Sequence, residues 1–179
     1  MEIRELTPTD AATFQELRLY ALQESPSAFG SSYEEEHDRP LEVVAERLGA
    51  ENNHVYGAFT EAGGLIGVIG LFQEQRVKTR HNAFIWGMYV APQHREHGVG
   101  RALMEAALSR ARELGLRKVT LAVNSANQAA VRLYESCGFE QYGLEKEAFN
   151  IGEDYYDSAY MVLKLYKERH PNSKMVSGR

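Results

Sequence analysis

The chain has 179 residues, 44% of them apolar and 25% charged, and carries a formal net charge of −5. That length suits a single core. The acidic balance argues against a nucleic-acid backbone as partner, and the lone cysteine, Cys137, excludes an internal disulfide and a Cys-based zinc cluster. No apolar run approaches the ~20 residues needed to cross a bilayer, and the acidic start Met1-Glu2-Ile3-Arg4-Glu5 is unlike a signal peptide, so a cytoplasmic protein without a membrane partner is expected.

Ile3 to Leu6 reads as a short first strand. Thr7-Pro8-Thr9-Asp10 supplies an N-cap, a first-turn proline and an acid ahead of Phe14, Leu17 and Ala21 at helical spacing. Ser25 to Gly30 breaks that helix, Ser31 to Glu36 forms a short capped segment, and a further helix runs near Leu41 to Leu48. His54 to Phe59 and Leu65 to Phe72, joined through Ala62-Gly63-Gly64, form an antiparallel hairpin. A strand follows from about Ala83 to Val90. A helix then places Val99, Leu103, Ala106, Ala107 and Leu114 on one face, and an apolar β-branched strand spans Val119 to Val123. Ser125 is placed to cap a helix containing Asn127, and two terminal strands fall near Phe139 to Glu147 and Tyr155 to Leu165. Strand-helix-strand in the middle implies a parallel pair and the hairpins imply antiparallel ones, so the sheet is mixed. Residues 1–167 read as one domain, and 168–179 as a tail without apolar periodicity.

The most informative stretch is Val90-Ala91-Pro92-Gln93-His94-Arg95-Glu96-His97-Gly98-Val99-Gly100-Arg101, which carries a strand through a glycine-punctuated turn directly into a helix. Gly98 and Gly100 lack a Cβ, and the first-turn N–H groups, with roughly half a positive charge from the helix dipole, point at whatever occupies the turn. A pyrophosphate suits such a cradle, with Arg95 adding charge.

Arg95-x-x-Gly98-x-Gly100 after a Val-x-Pro strand end resembles the acetyl-coenzyme A motif of the GCN5-related N-acetyltransferase (GNAT) superfamily. Asn127-x-x-Ala130-x-x-Leu133-Tyr134-x-x-x-Gly138-Phe139 resembles the second signature of that superfamily, and the likeness spans Ile3 to about Leu165. It implies an α/β fold with a mixed, mostly antiparallel sheet, helices on both faces and a split at the acetyl-coenzyme A site. It also implies acetyl-coenzyme A as co-substrate, no metal, and direct transfer to a primary amine in a ternary complex. By that resemblance Arg95, Gly98, Val99, Gly100 and Arg101 hold the pyrophosphate, and Met88 to Val90 bond the pantetheine, with the Val90 N–H facing the thioester oxygen. Asn127 reaches the pantetheine, and Tyr134 protonates the departing thiolate.

Spacing alone favours Tyr134 as a core aromatic on a helix face and allows Asn127 to bond only its own backbone. Many members of the superfamily carry a glutamate where this chain has Phe84, so the general base stays open among His81, Glu34, Glu35, Glu36, a water chain and an amine already deprotonated. Trp86 is a candidate for the substrate slot. The acidic run Glu34 to Glu36 is expected to draw in a cationic amine. His94 and His97 flank the cradle without a third ligand. Absence of the carboxylate motivates a rival reading, a coenzyme A-binding module without catalysis. A nucleotide-binding protein lacks both its Walker lysine and Gly-x-Gly-x-x-Gly here. A homodimer is compatible with the late strands.

Overall fold

The apolar hairpin at the middle of the sequence becomes the middle of the sheet in a computed structural model of the protein, which describes residues 1–166. Strands β2 (Asn53–Phe59) and β3 (Leu65–Gln73) are buried on both faces, which is why they read as continuous apolar runs. Their turn closes with the Thr60 N–H donating to the Gly64 carbonyl and the Gly63 N–H to the Thr60 carbonyl, both at 2.9 Å. Strand β1 (Glu2–Glu5) joins β2 and β4 (Asn82–Val90) joins β3, each antiparallel. With β5 (Lys118–Asn124), β6 (Glu140–Ile151) and β7 (Asp154–Lys164) they make a seven-stranded sheet in the order β1-β2-β3-β4-β5-β7-β6. The tail expected at 168–179 lies outside the described residues.

Both faces of the sheet carry helices. On one, α4 (Val99–Glu113) sets Leu103, Met104, Ala107 and Ala111 against Ile69, Leu71, Val119 and Met161. On the other, α1 (Ala11–Glu24) and α3 (Leu41–Leu48) pack Phe14, Leu17, Ala21 and Val44 onto Val55 and Val68. The four-residue α2 (Tyr33–Glu36) lies between them in sequence, and α5 (Gln128–Ser136) buries Tyr134 beside Phe139.

Two helix starts differ from the sequence reading. Thr7 precedes a 3-10 turn, Pro8–Asp10, and the Asp10 carboxylate accepts the Thr7 N–H at 2.8 Å and Arg4 Nη2 at 2.7 Å. Helix α5 is capped by Asn127, whose Oδ1 accepts the Ala130 N–H at 3.1 Å. Ser125 is drawn away from that role because its N–H donates to the Asp157 carbonyl at 3.0 Å, and Asn124 Oδ1 occupies the Ala126 N–H at 3.0 Å. The helix therefore starts two positions later.

Among the described residues β4 and β5 form the one parallel pair, and they are in register only at Asn82↔Lys118, Ala83↔Val119 and Phe84↔Thr120. Beyond Phe84 they part. The ladder between β3 and β4 slips there: Val68 faces Tyr89 and Gly70 faces Trp86, so Gly87 and Met88 together oppose Ile69. Such a bulge bends and twists its strand. Gly87 takes φ +62°, in the left-handed region a Cβ disfavours, so this residue makes the bend possible. The wedge it opens between the ends of β4 and β5 positions the site.

Candidate active site

A cavity of about 550 Å³ fills the wedge, walled by β4 from Ile85 to Val90, the start of α4, the end of β5 and one face of α5. Val90 lies opposite Gly67, while the next residue, Ala91, donates its N–H to the Ile66 carbonyl at 2.8 Å. Hydrogen-bonded and non-bonded pairs alternate along an antiparallel ladder, so the Val90 N–H and carbonyl face away from β3, into the wedge. Arg95 Nε donates to that carbonyl at 2.9 Å.

Gly98 sits at φ +78° as the N-cap of α4. The Ala102 N–H donates to the Gly98 carbonyl at 3.0 Å, so the amides of Val99, Gly100 and Arg101 are first-turn donors ahead of the helical ladder. Glu96, also on the cavity wall, holds φ +65°, so two residues of the turn are left-handed. A string of amides and a helix dipole around one turn suits an oxyanion.

Several predicted roles change once the partners are visible. A Cβ on Gly100 would stand 3.1 Å from Leu133 Cδ2 and 3.2 Å from Met88 Cε. Protein side chains, and not only a ligand, crowd that position: a Cβ would press on the ends of Leu133 and Met88, where α4 seats against β4 and α5. Arg95 was expected to direct charge at a pyrophosphate, yet its Nη2 and Nη1 donate to Glu24 at 2.7 and 3.3 Å. Tyr89 Oη joins them on Glu24 at 3.0 Å, and Arg95 holds that carboxyl below its ordinary range against the opposing effect of burial. Arg95 thus ties the end of α1 to the cradle with its charge balanced. Arg101 donates to Ser136 Oγ at 2.8 Å, fastening α4 to α5.

Tyr134 and Asn127 both line the cavity, as does Met88. Burial, with Cys137 beside it, pushes the Tyr134 phenol well above its ordinary value, which keeps the proton on it at neutral pH. Because the helix cap uses Asn127 Oδ1, the amide's NH₂ end is the donor left for a ligand. Among the described residues no three His, Cys, Asp or Glu side chains gather as metal ligands, and His97 Nδ1 contacts the Arg95 carbonyl at 2.6 Å.

A second cavity, about 490 Å³, lies across the bulge and shares Ala28, Ile85, Trp86, Gly87, Leu121 and Ala122 with the first. Trp86, predicted for the substrate side, is in its wall, with Nε1 donating to Asn53 Oδ1 at 2.9 Å. Phe84 lines it too, tilted on Phe72 at 5.0 Å, so the position expected of a base is an apolar ring.

The remaining predicted substrate residues are elsewhere. His81 is exposed just before β4, at the end remote from the wedge, its carbonyl accepting the Arg117 N–H at 2.8 Å. Glu34, Glu35 and Glu36 line neither cavity. Glu35 accepts the Ser32 N–H at 2.7 Å in a capping box, and Glu34 is exposed. Glu36 is 2% exposed and accepts Arg18 Nε at 3.1 Å and Arg18 Nη2 at 3.0 Å, with Arg39 at 3.7 Å. Burial works against that carboxylate, but Arg18 holds it below its ordinary range. The acidic run is therefore a helix cap and a buried ion pair. Glu34 and Glu35 keep exposed carboxylates, away from the walls of both cavities.

Gly87 in both cavities and Arg18 and Arg47 in the second also form the walls, and the sequence reading names none of them. A glycine inside a strand is itself a bulge signal, so Gly87 was readable. Arg18 sits on an ordinary helix period and Arg47 on a short amphipathic helix, and neither carries a local cue.

Residues 17–139 match the model of the Acetyltransferase (GNAT) family. The chain is 30% identical over 149 residues to the aminoglycoside N(6')-acetyltransferase type 1 of Stenotrophomonas maltophilia, spanning 78% of this chain and 86% of that protein. It is 30% identical over 131 residues to the spermidine N(1)-acetyltransferase of Vibrio cholerae, spanning 70% and 76%. The crystal structure of a GNAT-family acetyltransferase from Streptococcus pneumoniae superposes with a TM-score of 0.80 at 25% identity, covering 92% of this chain and 99% of that one.

Proposed function

Because the chain belongs to the GNAT acetyltransferase family, we propose that it moves an acetyl group from acetyl-coenzyme A to a primary amine, with the first cavity for the thioester and the second for the amine. The observation that carries this reading is the wedge itself: two cavities meet at Gly87, and unpaired backbone of β4 faces the first. The residues present fit the cofactor. The first-turn amides of α4 would hold its pyrophosphate and the Val90 N–H would face the thioester oxygen. Asn127 would donate to the pantetheine.

Acetyl-coenzyme A supplies an activated acyl group on a good leaving thiolate. The chain supplies position and a proton. As the amine nitrogen bonds the acetyl carbon, the carbon–sulfur bond breaks, the nitrogen gives up a proton to solvent, and Tyr134 gives one to sulfur and regains it from solvent. A donor aimed at the developing oxyanion is worth more than one bonded equally in the ground state, which is the role proposed for the Val90 N–H. With Phe84 in the base position, an amine that reaches the site deprotonated reacts without a dedicated side-chain base. A cytoplasmic setting without a nucleic-acid or membrane partner belongs to the same proposal; the formal net charge of −5 supports the first absence, and among the described residues no helix is long and apolar enough to cross a membrane.

The test is release of free thiol from acetyl-coenzyme A across a panel of primary amines, beside thermal shifts with coenzyme A, ATP and a nicotinamide dinucleotide. Coenzyme A alone should raise the melting temperature, and at least one amine should drive thiol release. Stabilisation by coenzyme A with no turnover on any amine would instead favour a binding module without catalysis.

A further inference from the structure

The second cavity has a charge that the acetyl-transfer reading does not use. Among its lining residues are two guanidiniums, Arg18 and Arg47, and no carboxylate. Arg18 is 6% exposed; its Nε and Nη2 are taken by Glu36, and its Nη1 is buried with no hydrogen-bond partner. That Nη1 lies beside the bulge, 3.9 Å from where a Cβ on Gly87 would stand. Arg47 sits over Trp86 with Cζ 3.8 Å from the ring centroid. Arg39 also approaches Glu36 at 3.7 Å, so Arg18 and Arg39 share one buried carboxylate, with which Arg47 forms no ion pair. Positive charge is in surplus at the wall where the acceptor must sit.

We infer that the acceptor carries a carboxylate close to its amine, held by Arg18 and Arg47 while the amine points across Gly87 toward the thioester. This rests on the acetyl-transfer reading and reverses the electrostatics expected from the sequence, since Glu34 to Glu36 do not face the cavity. A carboxylate offers the planar, bidentate partner a guanidinium prefers. Phe84, Trp86, Tyr142 and Tyr160 supply aromatic wall for an apolar body. The acceptor class is thus a small apolar or aromatic amino acid, set apart from the polycationic amines by the sign of the wall.

The experiment compares free leucine, methionine, phenylalanine and tryptophan with their carboxamides and decarboxylated amines, with spermidine as a polycationic control. Two readouts apply: binding to coenzyme A-saturated protein by calorimetry, and kcat/KM for acetyl transfer. For at least one pair the free acid should bind and react at least tenfold better than its amide. In Arg47→Gln that ratio should collapse toward one, mainly through KM. Arg18→Lys keeps a cation for Glu36 while removing Nη1, and serves if Arg47→Gln does not fold. Equal handling of acids and amides, or spermidine as the best acceptor, overturns the inference and leaves acetyl transfer standing. Selective binding of the acids with no acetylation of any amine would leave the anion site standing and overturn acetyl transfer.

Discussion

The two cavities that meet at Gly87 are built from different materials. The cavity proposed for the cofactor is lined by main chain: first-turn amides of α4, the outward N–H of Val90 and two left-handed turn residues, Glu96 and Gly98. Its arginines are engaged within the protein, Arg95 by Glu24 and Arg101 by Ser136. The cavity proposed for the acceptor is lined by side chains from α1, α3, β4, β5, β6 and β7, and the arginines around it outnumber the carboxylate that meets them. A backbone site is generic to its ligand, because every residue has an amide. A side-chain site is particular, and selects.

The largest effect that would sharpen this contrast comes from Tyr134, a side-chain donor on the backbone-built side. Tyr134→Phe keeps the ring and removes the proton, so turnover should fall by ~10²- to 10⁴-fold with cofactor affinity little changed. Single-turnover kinetics beside titration of coenzyme A separates the two, and a fully retained chemical rate would end the assignment.

Next is the buried pair on the acceptor side. Glu36→Gln leaves Arg18 without its counter-charge, at an expected cost of about 3–5 kcal/mol in folding stability, read by chemical denaturation. Glu36 has a lowered pKa, so the stability it contributes is present above the ordinary carboxylate range, near about pH 4.3, and is lost as pH falls through its folded value. Wild type and variant should therefore converge in acid. A gap that stays constant with pH would show that charge is not what the pair provides.

The smallest effect concerns Gly100. A side chain there meets Leu133 and Met88 before it meets a ligand, so Gly100→Val should strain the seat of α4 by roughly 1–3 kcal/mol and weaken coenzyme A binding by about 10- to 100-fold. In Leu133→Ala the added methyls have room, and the double variant should regain affinity. Failure of that rescue would return Gly100 to the simpler role of letting a phosphate approach.

By itself the sequence determined the seven strands, the central hairpin and the cradle, because each depends on local requirements: apolar period, turn composition, and residues free of a Cβ where the chain must turn left-handed. Asn127 and Tyr134 were singled out by resemblance to a family motif, not by spacing alone, and the fold places both on the wall of the first cavity. Which charges remain to meet a ligand was decided only by tertiary structure. Arg95 finds Glu24 across 71 positions of sequence, and Arg18 finds Glu36 across 18. Nothing in the composition of either segment announces those pairings, and of the acidic run only Glu36 turned inward, while Glu34 and Glu35 stayed exposed and line neither cavity. Coulomb energy depends on distance and on the dielectric around the pair, and both are set only when helices pack on the sheet.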